Sequence, residues 1–188
     1  MIMFIGGQSS GKSVMAEAWA EGLSAERLYL ALCQPADDEM RERVARHRAR
    51  RGAGWRCVEE SLEPLAALEL FLKEHPSFQG PVLIESLDML LNNLLGEKLN
   101  RDNILNRIES LLEGLGTLSL PCALISSECG LGILPPNPLA RLYVDLLGII
   151  NQQAARLCEN VILVSCGLPF PLKGALPFCK ELSNAKIL

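Results

Sequence analysis

Eight residues near the start of the chain, Gly6-Gly7-Gln8-Ser9-Ser10-Gly11-Lys12-Ser13, have the types and spacing to hold a phosphate. They fit the pattern G-x-x-x-x-G-K-[ST]. Glycines let backbone N–H groups turn inward around an anion with no Cβ in the way. Lys12 brings a point charge to the β and γ phosphates of a nucleoside triphosphate. The Ser13 hydroxyl is the kind of oxygen donor that Mg²⁺ takes. A helix starting at Lys12 aims its positive end at the same anion. Such a loop works with an acid at the end of a second strand, and Val82-Leu83-Ile84-Glu85 supplies one. Ser13 and Glu85 are therefore the expected metal-binding pair.

A second cluster lies further on. Asp37-Asp38-Glu39-Met40 opens a helix with three acids, which suits the positive end of a helix dipole. Arg41, Arg43, Arg46, Arg48, Arg50 and Arg51 then take a third of the 18 lysines and arginines in a chain of net charge -4. At helical spacing Met40, Val44, His47 and Arg51 share one face. Met40 and Val44 are expected to pack inward, with His47 at the edge of that face. Positive neighbours disfavour an imidazolium, so His47 is expected in its neutral, nucleophilic form. It could then attack a phosphorus while arginines hold the phosphate oxygens. The residues alone leave a plain surface histidine on a solvated charged face as the alternative.

These groups need a scaffold. Ile2–Ile5, Leu28–Leu32, Val82–Glu85, Cys122–Ser126 and Val161–Ser165 read as buried strands, with Trp55–Glu59 a short edge strand. Helical patterns run over Lys12–Gly22, Asp37–Arg50, Glu63–Glu74, Leu87–Leu95, Asn103–Leu115 and Leu139–Cys158. The alternation predicts an α/β fold of the P-loop NTPase type: a mostly parallel sheet with helices on both faces. One domain is expected over residues 1–188, with an irregular tail from about residue 174. Leu139–Ile150 reads as core, with packing between subunits as the alternative, and Leu87–Leu95 as either core or part of a cleft.

Several classes are excluded or disfavoured. The apolar runs fall short of the ~18 to 20 residues of a membrane span. Met1–Ile5 leads straight into the glycine loop, so it reads as a strand rather than a signal peptide. A cytoplasmic setting is expected. The net charge of -4 does not suit nucleic acid. The seven cysteines contain no C-x-x-C pair, so thiols rather than a zinc site are expected.

Five segments in order resemble the bifunctional adenosylcobinamide kinase/adenosylcobinamide-phosphate guanylyltransferase family of cobalamin biosynthesis. GGQSSGKS is followed by Ala16-Glu17. LYLALCQPADDEMRERVARHRARRGAGW carries Asp37–Met40, Arg43, Val44, His47, Arg51 and Trp55. VLIESLDMLLNNLL keeps Asn93-Leu94-Leu95. SSECGLGILPPNPLARLYVDLLGIINQQAA carries Glu128, Gly130, Gly132, Ile133, Pro135, Asn151 and Gln152. VILVSCGLPFPLK closes with a strand and a Gly-Leu-Pro turn. The resemblance spans about Ile2 to Lys173.

It implies two reactions. A nucleoside triphosphate (ATP or GTP) phosphorylates the aminopropanol hydroxyl of adenosylcobinamide. GMP then passes from GTP to adenosylcobinamide phosphate through a guanylyl-histidine, giving adenosylcobinamide-GDP and pyrophosphate. The matching histidine is His47; His75 does not fit the motif. The resemblance also implies Mg²⁺, arginines such as Arg48 and Arg51 near the nucleotide, Glu59 or Glu60 at its base or ribose, and a homo-oligomer, of which a trimer is one form. The chain departs from the family pattern at Ser9 (often Arg), Glu85 (often Asp), Ser127 (usually Asn) and Tyr143-Val144 (usually Phe-Arg). Two other readings of the residues stand beside it: a P-loop small-molecule kinase without guanylyl transfer, and a GTP-binding switch or assembly protein.

Overall fold

Six short apolar runs send alternate side chains to opposite faces, and that alternation builds the sheet. The computed structural model describes residues 1–35 and 37–177, without the side chain of Arg43. The motif residue Arg43 and the tail beyond residue 177 thus lie outside the described residues. The elements are β1 (Ile2–Gly6), α1 (Lys12–Leu23), β2 (Arg27–Ala31), α2 (Asp38–Arg50), β3 (Trp55–Glu59), α3 (Pro64–Glu74), β4 (Val82–Glu85), α4 (Leu87–Gly96), α5 (Arg101–Thr117), β5 (Cys122–Ser127), α6 (Pro138–Leu157), β6 (Asn160–Ser165) and β7 (Leu168–Lys173). The sheet order is β3-β2-β4-β5-β1-β6-β7. Neighbours are parallel except β6 and β7, which are antiparallel.

The period of two is visible residue by residue. Met3, Ile5, Leu28, Leu30, Val82, Ile84, Cys122 and Leu124 join the larger core, with Leu87, Leu91 and Leu94 of α4, Ile108 and Leu112 of α5 and Leu146 and Ile150 of α6. Ile2, Phe4, Tyr29, Leu83, Ala123 and Ile125 join the smaller core under Met15, Ala16, Trp19 and Ala20 of α1. Burying one such leucine contributes roughly 1.5–3 kcal/mol. The expected mostly parallel sheet with both faces covered is the observed one. Leu146, Leu147 and Ile150 are core, as expected for that helix, while Leu139 at its start is 60% exposed.

One element goes beyond the sequence reading, which has no strand after Ser165. β7 carries Pro169 and Pro171, residues that lower strand propensity but are tolerated where no ladder hydrogen bond is required, on an edge. Among the described residues no helix is long and apolar enough to cross a membrane.

Parallel strands bring their C-terminal ends to one rim. Ala31 pairs with Glu85 across β2 and β4, and Gly6 lies between Ser127 of β5 and Val164 of β6. Two asparagines fasten this rim to helices. Asn93 Nδ2 donates to the carbonyls of Leu32 (2.7 Å) and Ser61 (2.9 Å). Asn151 Nδ2 donates to Ser127 O (3.0 Å), and its Oδ1 accepts from Ser126 Oγ (2.6 Å).

Candidate active site

The loop after β1 is shaped by steric need. A Cβ on Gly6 would lie 2.2 Å from the Val164 carbonyl oxygen and 2.7 Å from Ser10 Oγ, so only glycine fits. Gly11 has φ 96 and Ser9 φ 53, both left-handed. Gly167 N–H donates to Ser10 O (3.0 Å), tying the loop to the turn after β6. Lys12 is buried and its Nζ donates to Gly7 O (3.2 Å), which curls it over the loop.

At the mouth of the loop one carboxylate gathers three groups. Ser13 Oγ donates to Glu85 Oε1. Tyr29 OH donates to Glu85 Oε2 at 2.8 Å. His47 Nδ1 stands 3.8 Å from Glu85 Oε1. Burial, then the charge of Glu85, pushes the Tyr29 phenol well up, so Tyr29 stays a donor. The arginines of α2 do not alone decide the setting of His47: the fold sets the end of β4 beneath α2 and adds an acid.

α2 is built from the outside in. Asp37 caps it, accepting from Met40 N–H at 2.8 Å. Met40 and Val44 are half-buried and line the cleft with His47, so the inward packing expected of them is against the site and not the core. The helix is instead fastened by charge. Arg50 makes two hydrogen bonds to Glu17 of α1, at 2.8 and 2.9 Å. Burial raises the Glu17 carboxyl, with Arg50 acting against it. Arg51 lies over the Tyr29 ring, 3.5 Å from its centroid, with Nη1 buried and without a hydrogen-bond partner. Arg48 Nη2 donates to Glu59 Oε1 at 2.8 Å.

The cleft therefore brings together Gln8, Lys12, Ser13, His47, Arg48, Arg51, Glu59 and Glu85. Glu60 goes elsewhere. It accepts from the N–H groups of Leu62 (2.8 Å) and Glu63 (3.1 Å) at the approach to α3. Those bonds lower its carboxyl from the ordinary value. His75 stacks on Phe71 at the end of α3, 4.4 Å between centroids. Glu128, Gly130, Gly132 and Ile133 sit in the loop between β5 and α6, where Ile133 is 98% exposed.

Two cleft groups escape the sequence reading, Tyr29 and Asp88, as does the use of Glu17 beneath α2. Tyr29 and Asp88 sit inside largely apolar runs, and the signal in each case is a polar group flanked by buried apolar residues. Glu17 is among the residues that carry the resemblance, but nothing in the sequence pairs it with Arg50. Among the described residues, the cysteines are free thiols. Burial pushes Cys122 and Cys158 up to about 11.

The family model described as cobinamide kinase / cobinamide phosphate guanyltransferase matches residues 2–172. The chain is 40% identical over 176 residues to the bifunctional adenosylcobalamin biosynthesis protein CobP of Pseudomonas aeruginosa, covering 92% of this chain and 96% of the relative. It is 34% identical over 187 residues to the bifunctional adenosylcobalamin biosynthesis protein CobU of Escherichia coli, covering 92% and 99%. A solved structure of a prototypical ATPase from a bacterial type III secretion system is similar with TM-score 0.54 and 12% identity. That match covers 98% of this chain and 60% of the other, and it is a likeness of fold alone.

Proposed function

The chain belongs to the cobinamide kinase / cobinamide phosphate guanyltransferase family, and from that premise we propose that one domain and one cleft carry both reactions. It is an enzyme of adenosylcobalamin biosynthesis that uses nucleotides as substrates. In the first reaction a nucleoside triphosphate phosphorylates the aminopropanol hydroxyl of adenosylcobinamide. In the second, GMP moves from GTP to adenosylcobinamide phosphate by way of His47, giving adenosylcobinamide-GDP.

The observation that carries this reading is the position of His47, 3.8 Å from the carboxylate that also bonds the phosphate-loop serine. A nucleotide on the loop then has its phosphates within reach of the imidazole. The carboxylate on the Nδ1 side favours the tautomer protonated there and leaves the Nε2 lone pair for attack. Nε2 forms a bond to the α-phosphorus of GTP as the bond to the pyrophosphate oxygen breaks. An oxygen of the acceptor phosphate next takes the α-phosphorus, and the N–P bond breaks. Lys12 and the loop N–H groups hold the β and γ phosphates. Arg48 and Arg51 hold phosphate oxygens from α2, and the orphaned Nη1 of Arg51 is one donor ready for that use. Glu59, which lines the cleft beside Arg48, is assigned to the base or ribose in preference to Glu60.

Ser13 and Glu85 are hard oxygen donors already in contact, so the residues present fit Mg²⁺. Mg²⁺ bound there supplies charge neutralisation on the phosphates. The reading includes a cytoplasmic setting and a homo-oligomer.

The test is intact mass and adduct mapping after incubation with GTP and Mg²⁺ alone. The wild-type chain should gain one GMP, roughly the mass of GMP less water, on His47, and His47→Ala should gain none. A wild-type chain that binds GTP without forming the adduct would falsify the guanylyl-transfer half.

A further inference from the structure

Asp88 has no part in the chemistry described so far, yet it lies in the same cleft as Lys12 and Ser13. It follows Glu85 by three residues, in the first turn of α4, and is only 7% exposed. Ser127 Oγ donates to its Oδ2 at 3.0 Å. Tyr143 OH donates to its backbone carbonyl at 3.2 Å, fixing the start of the helix. Its Oδ1 is buried and has no hydrogen-bond partner. Ser127 and Tyr143, the two hydroxyls that hold it, are both positions where the chain departs from the family pattern.

A carboxylate buried for packing alone should have its acceptor sites filled. Here one oxygen is fixed and the other waits for a donor that the chain does not provide. Rotation about the terminal bond exchanges the two oxygens, so either can serve while Ser127 keeps its partner. Ser13 and Glu85 already supply oxygen donors for a metal, and Asp88 comes from a different element than His47, Arg48 and Arg51. The donor that the kinase reaction brings to this cleft is the acceptor's hydroxyl.

We propose that Asp88 binds the acceptor hydroxyl and takes its proton during phosphoryl transfer. This rests on the kinase half of the function proposed above. The hydroxyl oxygen bonds to the γ-phosphorus, and the bond from that phosphorus to the bridging oxygen breaks. Its electron pair leaves with the nucleoside diphosphate, while the hydroxyl proton passes to Asp88. Phosphoryl transfer asks for such a residue to orient the nucleophile. Guanylyl transfer from His47 to a phosphate oxygen has no hydroxyl proton to remove, so Asp88 is dispensable there.

The experiment compares the wild-type chain with Asp88→Asn, which keeps the shape and an acceptor for Ser127. Kinase turnover is measured with adenosylcobinamide and a nucleoside triphosphate, and GMP adduct formation with GTP alone. Kinase kcat should fall about 100-fold or more. The KM for the triphosphate should hold within about twofold, and the adduct should form at about the wild-type rate. Kinase turnover within about threefold of wild type overturns the assignment, as does an equal fall in both reactions or a raised Mg²⁺ requirement in both. A wild-type chain without kinase activity removes the kinase reading itself, and the assignment with it. An active wild type with an equally active Asp88→Asn removes the assignment alone.

Discussion

Glu85 is held on both of its oxygens, by Ser13 on one and Tyr29 on the other. That is the arrangement expected of a metal-facing carboxylate whose orientation matters. Tyr29→Phe keeps the ring under Arg51 and removes only the bond to Oε2. The Mg²⁺ concentration for half-maximal activity should rise about tenfold with little loss of kcat at saturating Mg²⁺. A magnesium titration checks this; an unchanged midpoint means that Tyr29 supports Arg51 and not Glu85. The phosphate loop and Glu85 were legible because each occupies a short pattern fixed by local geometry. Tyr29 was not, since its hydroxyl has a use only once β2 lies against β4.

At the scale of elements, α2 and α3 are fixed in different ways: α3 packs Leu68 and Phe71 into the larger core, and no described residue of α2 reaches it. α2 contributes no buried side chain among the described residues and is moored by Arg50 to Glu17 and by Arg51 over Tyr29. The helix that carries His47, the proposed nucleophile, is therefore anchored at its C-terminal end, beside the cleft. α3 is approached through Glu60, which accepts two backbone N–H groups. The depressed Glu60 carboxyl contributes stability fully above its ordinary value of 4.5, and that contribution is lost as pH falls through the lowered folded value. Glu60→Ala should lower the stability to urea at neutral pH by at most about 1 kcal/mol, because solvent still screens the carboxylate. The gap from wild type should shrink as pH drops below the ordinary carboxylate range. A gap that stays constant there would mean that the loss is one of packing.

The whole molecule is asymmetric. The larger core lies beneath α3 to α6, the smaller one beneath α1, and one sheet edge ends in β7. Leu168, Phe170 and Leu172 of β7 are 58%, 51% and 63% exposed, and Leu131, Ile133 and Leu134 in the loop before α6 are exposed as well. Pro169 and Pro171 cannot donate to another strand, so contact through side chains is the use left to this edge. With the homo-oligomer of the proposed function, the expected outcome is a sedimenting mass that is a multiple of the 20.6 kDa chain. Phe170→Glu should shift it toward one chain. A wild-type monomer at micromolar concentration would sink the oligomer.

The sequence by itself determined the phosphate loop, the acid at the end of β4, the order of strands and helices as far as β6, and the face of α2 that carries His47. Each of these depends on neighbours a few residues apart, where spacing and sterics suffice. The tertiary structure alone decided that Glu85 meets His47, that Arg50 serves Glu17 while Arg51 covers Tyr29, that Glu59 enters the cleft and Glu60 does not, and that Asp88 keeps one oxygen without a partner. The contacts of Glu85, Arg50, Arg51 and Asp88 join residues more than twenty positions apart. They exist only after the parallel strands have brought their ends to a common rim.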